Sequence, residues 1–385
     1  MTDFVQPLRL LTLHILVCCS FSTALAQQET VRITPQVSGV EVTFRGLAVR
    51  NQLEAWVTGS RGTVIRTTDS GHTWKTIPVP GSDALDFRDV EILPDGTVLL
   101  MSIGNGNASR ILRSRDSGTT WSIVLTSRAA TGFFDGMAFS SDGRRGVLFG
   151  DPIDGRLDLY HTRNGGLTWT RASTPQRPAL QQGEYGFAAS GTGVVLHGRS
   201  IWIATGGSLA RVLHSPDDGM TWSAHDTTMR SGNDSSGIFS IAVIDNETLV
   251  AIGGDYVHPE RDTGNVARSI DGGTTWHTLQ TVRMPHKACV QSLGHGRLLT
   301  CGRTGVAFSA DAGQTWQSIT KDSYFTLAVD TRSGTGFLAG ADGRVARFTT
   351  LSSQSNSSES DCQSCLNRNR NQRTTHSIPT AVHVP

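Results

Sequence analysis

Residues 65–77 read "IRTTDSGHTWKTI". The skeleton inside them, Ser/Thr-x-Asp-x-Gly-x-Thr-Trp, occurs six times in the chain. The first copy is built on Asp69, Gly71 and Trp74, and the second on Asp116, Gly118 and Trp121. The third has Asn164 in the acidic place, with Gly166 and Trp169. Asp217, Gly219 and Trp222 form the fourth, Asp271, Gly273 and Trp276 the fifth, and Asp311, Gly313 and Trp316 the sixth. Successive tryptophans are 47, 48, 53, 54 and 40 residues apart. That period suits one four-stranded propeller blade per repeat.

Every residue of this turn has structural work to do. Gly71 permits a positive φ. The Asp69 carboxylate can accept backbone amides within the turn, and Thr67 and Thr73 can add hydroxyl bonds. Trp74 offers a large apolar face, expected to pack the hairpin onto its own blade. Asn164 supports a structural reading, because an amide still accepts those bonds whereas a catalytic or metal-binding carboxylate would be damaged.

Around the first copy, "VTFRGLAV", "LEAWVTG", "TVIRTT" and "HTWKTI" read as the four strands of a blade, inner to outer. The second-strand signature, an apolar run ending in Gly, recurs to make seven units against six turns. The last unit, "FTLAVDTRSGTGFLAGADGRVARFTTL", has three strands and no turn motif. An unassigned strand, "ETVRITPQV", stands near the start of the chain. The expectation is an all-β fold: a seven-bladed propeller over residues 29–350, closed by this N-terminal strand. Closure would cover sheet edges that otherwise invite aggregation.

Composition agrees. Among 385 residues, Gly is high at 42 and charged residues make up only 17 %, which suits short strands and tight turns. The formal net charge of +1 gives no bulk electrostatic case for nucleic acid or an anionic membrane. Residues 1–26 combine Arg9, the apolar run "LLTLHILVCCSFSTALA" and an Ala24-Leu25-Ala26 site, and read as a secretory signal peptide. Its apolar run falls short of the roughly 20 residues that span a bilayer. A secreted or periplasmic chain with no transmembrane span after cleavage is expected. Residues 351–385 are polar and Ser/Asn/Arg-rich, and read as a disordered tail. Its lone Cys362-x-x-Cys365 has no second pair to make a metal site. Cys289 and Cys301 flank a "GHG" turn at equal distances, which allows either a disulfide across two strands or two buried thiols.

The repeated turn resembles the Asp box, or BNR repeat, found in sialidases, sortilin-type receptors and the photosystem II assembly and stability factor family. The form "GTVIRTTDSGHTWKTI" and its near-regular spacing look most like the last group. That resemblance implies seven blades and an interaction scaffold with a protein or peptide partner; no cofactor is expected, and the chain is expected to be a monomer. Sialidases add a Phe/Tyr-Arg-Ile-Pro motif, an arginine triad and a Tyr/Glu pair. Here Phe44-Arg45-Gly46-Leu47 lacks the Ile-Pro, and Glu184 and Tyr185 are adjacent, so on a strand their side chains diverge. A sialidase-like glycoside hydrolase is therefore the alternative to an exported, non-enzymatic interaction scaffold.

Strand order places the repeated turns and the short turns between first and second strands on one face. The longer connections, including 104–109, 151–156, 173–186, 226–237 and 255–265, lie on the other, where binding normally resides. Aligning "FRGLAV", "FRDVEI", "FDGMAF", "IFSIAV" and "YFTLAV" puts Arg45, Arg88, Asp135, Phe239 and Phe325 at equivalent points around the channel mouth. Arg45 and Arg88 could clamp a carboxylate, or else pair with Asp89 or Asp135. Asp151 and Asp154 are too few for calcium, which takes 6–8 oxygens. Asp255 with His258 is either half of an acid/base pair or part of a solvated loop. No metal site is expected.

Overall fold

Short turns force each strand to pair with the next in sequence. In the first blade, Phe44–Val49 pairs with Ala55–Gly59, then Val64–Thr67, then Lys75–Thr76. The computed structural model describes residues 30–351 and repeats this antiparallel pattern as a seven-bladed β-propeller. The signal-peptide segment, the cysteines of the tail and the tail from residue 352 onward lie outside the described residues. The last strand, Val345–Leu351, runs one residue into the segment expected as tail.

Thr30–Gln36 is the outer strand of blade seven, in register from Thr30↔Leu351 to Gln36↔Val345. One sheet departs from four strands. In the fifth blade, two two-residue strands, Glu184–Tyr185 and Gly206–Gly207, extend the inner edge to make six. The segment "DPIDGR" is not an extended loop. Strand Gly146–Ile153 turns tightly into Arg156–Thr162, with Asp154 and Gly155 at positive φ.

Apolar side chains collect in the seams between neighbouring blades. Phe87, Val90 and Leu100 of blade two pack with Trp56 and Val64 of blade one, and every other seam repeats this. The repeated turns belong to these seams, which corrects the expectation that each tryptophan packs on its own blade. Trp121 meets Trp56 of the preceding blade edge-on at 6.5 Å, and Trp74 meets Phe337 of blade seven at 5.4 Å. Trp169 keeps an own-blade contact, with Phe139 at 5.8 Å. The outer strands are often only two residues long and offer little face of their own, so the rings lean across.

The turn glycines explain how the seam closes. All six have positive φ, from 70° at Gly166 to 89° at Gly273. A Cβ on any of them would press on the preceding blade: 2.5 Å from Ile77 at Gly118, 2.2 Å from Leu99 at Gly166, 2.6 Å from Trp202 at Gly273. Six turns thus seal six seams. The seventh, between blades six and seven, has no turn. There Val31 and Ile33 of the N-terminal strand pack against Cys289, Cys301, Leu327 and Phe348.

Within the turn, Thr67 Oγ1 accepts from the Gly71 amide at 2.9 Å, and Asp69 accepts from the Thr73 amide at 2.9 Å and its hydroxyl at 2.6 Å. Asn164 reproduces the pattern, accepting from the Thr168 amide at 3.0 Å while its Nδ2 donates to the Thr168 hydroxyl at 2.9 Å. Cys289 and Cys301 sit opposite one another in register, and both are buried free thiols.

Candidate functional site: a blind pocket at the channel mouth

The inner strands carry β-bulges. Register shifts fall at Arg45 (Phe44/Gly46), Arg88 (Phe87/Asp89), Asp135 (Phe134/Gly136) and Phe239 (Ile238/Ser240). At Phe325 the amide donates to Ala339 O, the residue that also opposes Thr326. A bulge leaves one residue unpaired and re-aims its side chain. All five side chains consequently line one cavity of about 550 Å³, on the face away from the repeated turns.

The cavity is closed from below. Residues 187–192 cross the channel. Arg88 Nη1 donates to Ala188 O at 3.0 Å, Ser190 Oγ to Ala288 O at 2.9 Å, and the Ile241 amide to Thr192 O at 3.1 Å. Gly191 (φ 77°) lies so close to blade two that a Cβ would stand 2.3 Å from Asp89 Oδ1. Ala188 and Ala189 face the cavity, whereas Ser190 to Thr192 face the opposite channel end.

One sector is cationic. Arg45 lies over the Phe325 ring at 4.0 Å, its Nε buried without a partner, and its pKa falls to about 10 through burial and the neighbouring Arg88. Arg88 does not pair with Asp89 or Asp135. Its Nη2 and Nε instead contact Asp86 at 2.7 and 2.9 Å. Arg303 reaches in from blade six and donates to Tyr256 O at 3.3 Å. The buried His286 has no partner at either ring nitrogen. Burial, then Lys287 and Arg45, lower its pKa to about 3, so it is neutral at pH 7.

The opposite sector is acidic. Asp135 is 2 % exposed, and its Oδ2 and Asp151 Oδ1 lack partners. Burial, then the nearby Asp151, push the Asp135 carboxyl well up, and burial raises Asp151 to about 6. Between the sectors, Phe187 stacks on Phe239 at 4.0 Å, with Tyr185 and Tyr256 edge-on to Phe187 at 5.6 and 6.4 Å. Tyr185 donates its hydroxyl to Asp234 O at 2.6 Å, and burial raises its pKa to about 12.

Asp255 and His258 are not part of this cavity. The Asp255 carboxylate organises its own loop, accepting from Ser235 Oγ at 2.6 Å and from the amides of Val257 and His258 at 3.0 and 3.2 Å. His258 lies 3.8 Å from Glu260. The other carboxylate oxygen, Oδ2, faces Arg261 at 3.6 Å, and no hydrogen bond joins the Asp255 carboxylate to the His258 ring. Glu184 is likewise remote, buried against Arg211 at 2.6 Å. Among the described residues, no cluster of three or more His, Cys, Asp or Glu could hold a metal ion. No described helix is long and apolar enough to cross a membrane. Asp151 and Tyr256 belong to the 151–156 and 255–265 connections expected on this rim, whereas Phe187, His286 and Arg303 were not among the residues the sequence singled out. These three come from connections, where no shared register marks them.

No protein-family model matches this sequence, and no curated protein does. Solved structures share the fold. YCF48 bound to D1 peptide superposes with a TM-score of 0.60 at 16 % identity, over 83 % of this chain and 97 % of that one. YCF48 from Cyanidioschyzon merolae gives 0.60 at 18 %, over 82 % and 98 %. U3-55K gives 0.57 at 14 %, over 83 % and 98 %. At such identities the likeness speaks to fold, and function has to be argued from the site.

Proposed function

We propose that this chain is an exported, non-enzymatic peptide-binding scaffold of the Asp-box class, akin to photosystem II assembly factors, which takes a carboxylate-bearing segment into the blind pocket. One observation carries the reading. Arg45, Asp135, Asp151 and His286 come from separate strands and connections, yet all four line the same cavity and each holds a buried polar atom without a partner. Buried polar atoms left unpaired cost about 1–3 kcal/mol each. A polar ligand would satisfy them. Arg45 is the carboxylate anchor, since its Nε has no hydrogen-bond partner within the described residues and its guanidinium lies over the Phe325 ring. YCF48 bound to D1 peptide shows that a protein of similar fold accepts a peptide. Export rests on the leader-like residues 1–26.

The glycoside hydrolase reading draws on the carboxyl pair beside the arginines. It lacks an activated nucleophile: the Tyr185 hydroxyl is committed to Asp234 O and held protonated, and Glu184 lies outside the pocket. The test is calorimetric titration with peptides ending in a free carboxylate and with their amidated forms. Arg45→Gln should weaken the carboxylate form at least tenfold, leave the amide form unchanged and leave the melting temperature within a few degrees. Arg45 is the cleaner probe than Arg88, which also tethers Ala188. Equal binding of both forms, or turnover of aryl sialosides, would reject the proposal.

A further inference from the structure

The acidic sector has no counterpart within the protein. Asp135 is almost fully enclosed, and no Lys or Arg of the described chain bonds to it or to Asp151. Arg88, the nearest expectation from sequence, is committed to Asp86 and Ala188 O. Asp151 Oδ1 is likewise buried without a partner. Gly186 keeps the approach to Asp135 tight, since a Cβ there would lie 2.6 Å from Asp135 Oδ2. Two carboxyls at this depth cannot both ionise without a nearby cation. Burying even one is costly unless something pairs with it. The adjoining aromatic wall of Phe187, Phe239 and Tyr256 suits the alkyl stem that carries a basic group.

We propose that Asp135 and Asp151 form a subsite for an ammonium or guanidinium group, so that the pocket selects ligands carrying a basic group as well as an acidic one. This rests on the peptide-binding reading for the nature of the ligand, but involves different residues from the arginine sector. An ammonium can come from a lysine side chain or from a peptide amino terminus. A divalent cation is disfavoured, because no third His, Cys, Asp or Glu joins the two carboxyls among the described residues, and calcium takes 6–8 oxygens.

Each sector can be tested alone with a simple probe, using the complete mature chain. Binding is followed by NMR titration with hexylamine, hexanoate, acetyl-lysine amide and alanine amide. Asp135→Asn combined with Asp151→Asn should weaken hexylamine at least tenfold and leave hexanoate unchanged. Arg45→Gln should do the reverse. Preference for acetyl-lysine amide identifies a side-chain ammonium, and preference for alanine amide an amino terminus; either supports the subsite. Should the double variant prove poorly folded, Asp151→Asn alone should still lower hexylamine affinity. The subsite is overturned if hexylamine binds equally well to parent and both Asn variants. It is equally overturned if calcium at micromolar levels displaces the amine, or if a glycoside is hydrolysed in an Asp135-dependent manner. If hexanoate alone fails to respond to Arg45→Gln, the arginine reading fails and the carboxyl subsite stands.

Discussion

At the scale of the residue, the same side chain type does opposite work in two places. Asp69, half-buried, and Asp116, exposed, are held at about 2, chiefly by the hydroxyls of Thr73 and Thr120 and then by the amides of those residues. Their folded values lie below the ordinary Asp value of about 3.9. Their support is therefore present above about pH 4 and lost as pH falls towards 2. Asp135 and Asp151 are raised instead, so their support is complete below about pH 4 and is lost as pH rises through about 6 for Asp151. The Asp135→Asn, Asp151→Asn double variant should accordingly gain melting temperature relative to the parent between pH 4 and 7. A difference that stays flat over this range would show the carboxyls to be unperturbed. The turn glycines give a second prediction. Gly118→Ala must hold φ near 85° and fit a methyl group 2.5 Å from Ile77, which should cost about 2 kcal/mol in urea unfolding. The glycine requirement was legible from the repeat, whereas its packing against the preceding blade was not, because that neighbour lies tens of residues upstream.

At the scale of the element, the five inner-strand positions at the channel mouth were legible because a shared motif marks each bulge. The segment 187–192 was not, because the Gly- and Ser-rich "FAASGTG" lacks the motif that the other inner strands share. Only the surrounding blades decide that it crosses the channel instead. Here Ala188 and Ser190 bond to Arg88 and to Ala288 O, and Thr192 shares a 2.6 Å contact with the Ser240 hydroxyl. Gly191→Val should push the crossing away from Asp89 and loosen the pocket floor. The expected outcome is faster amide hydrogen exchange at residues 188–192 and 241, with the outer strands unchanged. Unaltered exchange there would mean that the crossing is not anchored at Gly191.

At the scale of the whole molecule, closure depends on a pairing between the two ends of the ring, Thr30–Gln36 with Val345–Leu351. This strand also fills the seam that no repeated turn seals. A chain starting at Gly39 should lose solubility or melt many degrees lower than one starting at Gln27, measured by circular dichroism. Phe348→Ala, which empties the same seam, should cost about 3–5 kcal/mol. Melting of the truncated chain at the parental temperature would show that the ring holds without its N-terminal strand.

The sequence by itself determined the number of blades, the antiparallel strand order, the closing strand and the five residues at the channel mouth. Each of these follows from local chemistry: period, turn residues and apolar runs repeat at fixed offsets along the chain. Tertiary structure alone decided that the turns seal seams, that residues 187–192 floor the channel, and that Asp151 and His286 join Arg45 and Asp135 in one cavity. It also decided that Asp255 serves its own loop and that Arg88 turns to Asp86. These outcomes depend on which side chains meet after the ring closes. Residues from blades one, three and six are far apart in sequence, and no periodicity records where their polar atoms will be left without a partner.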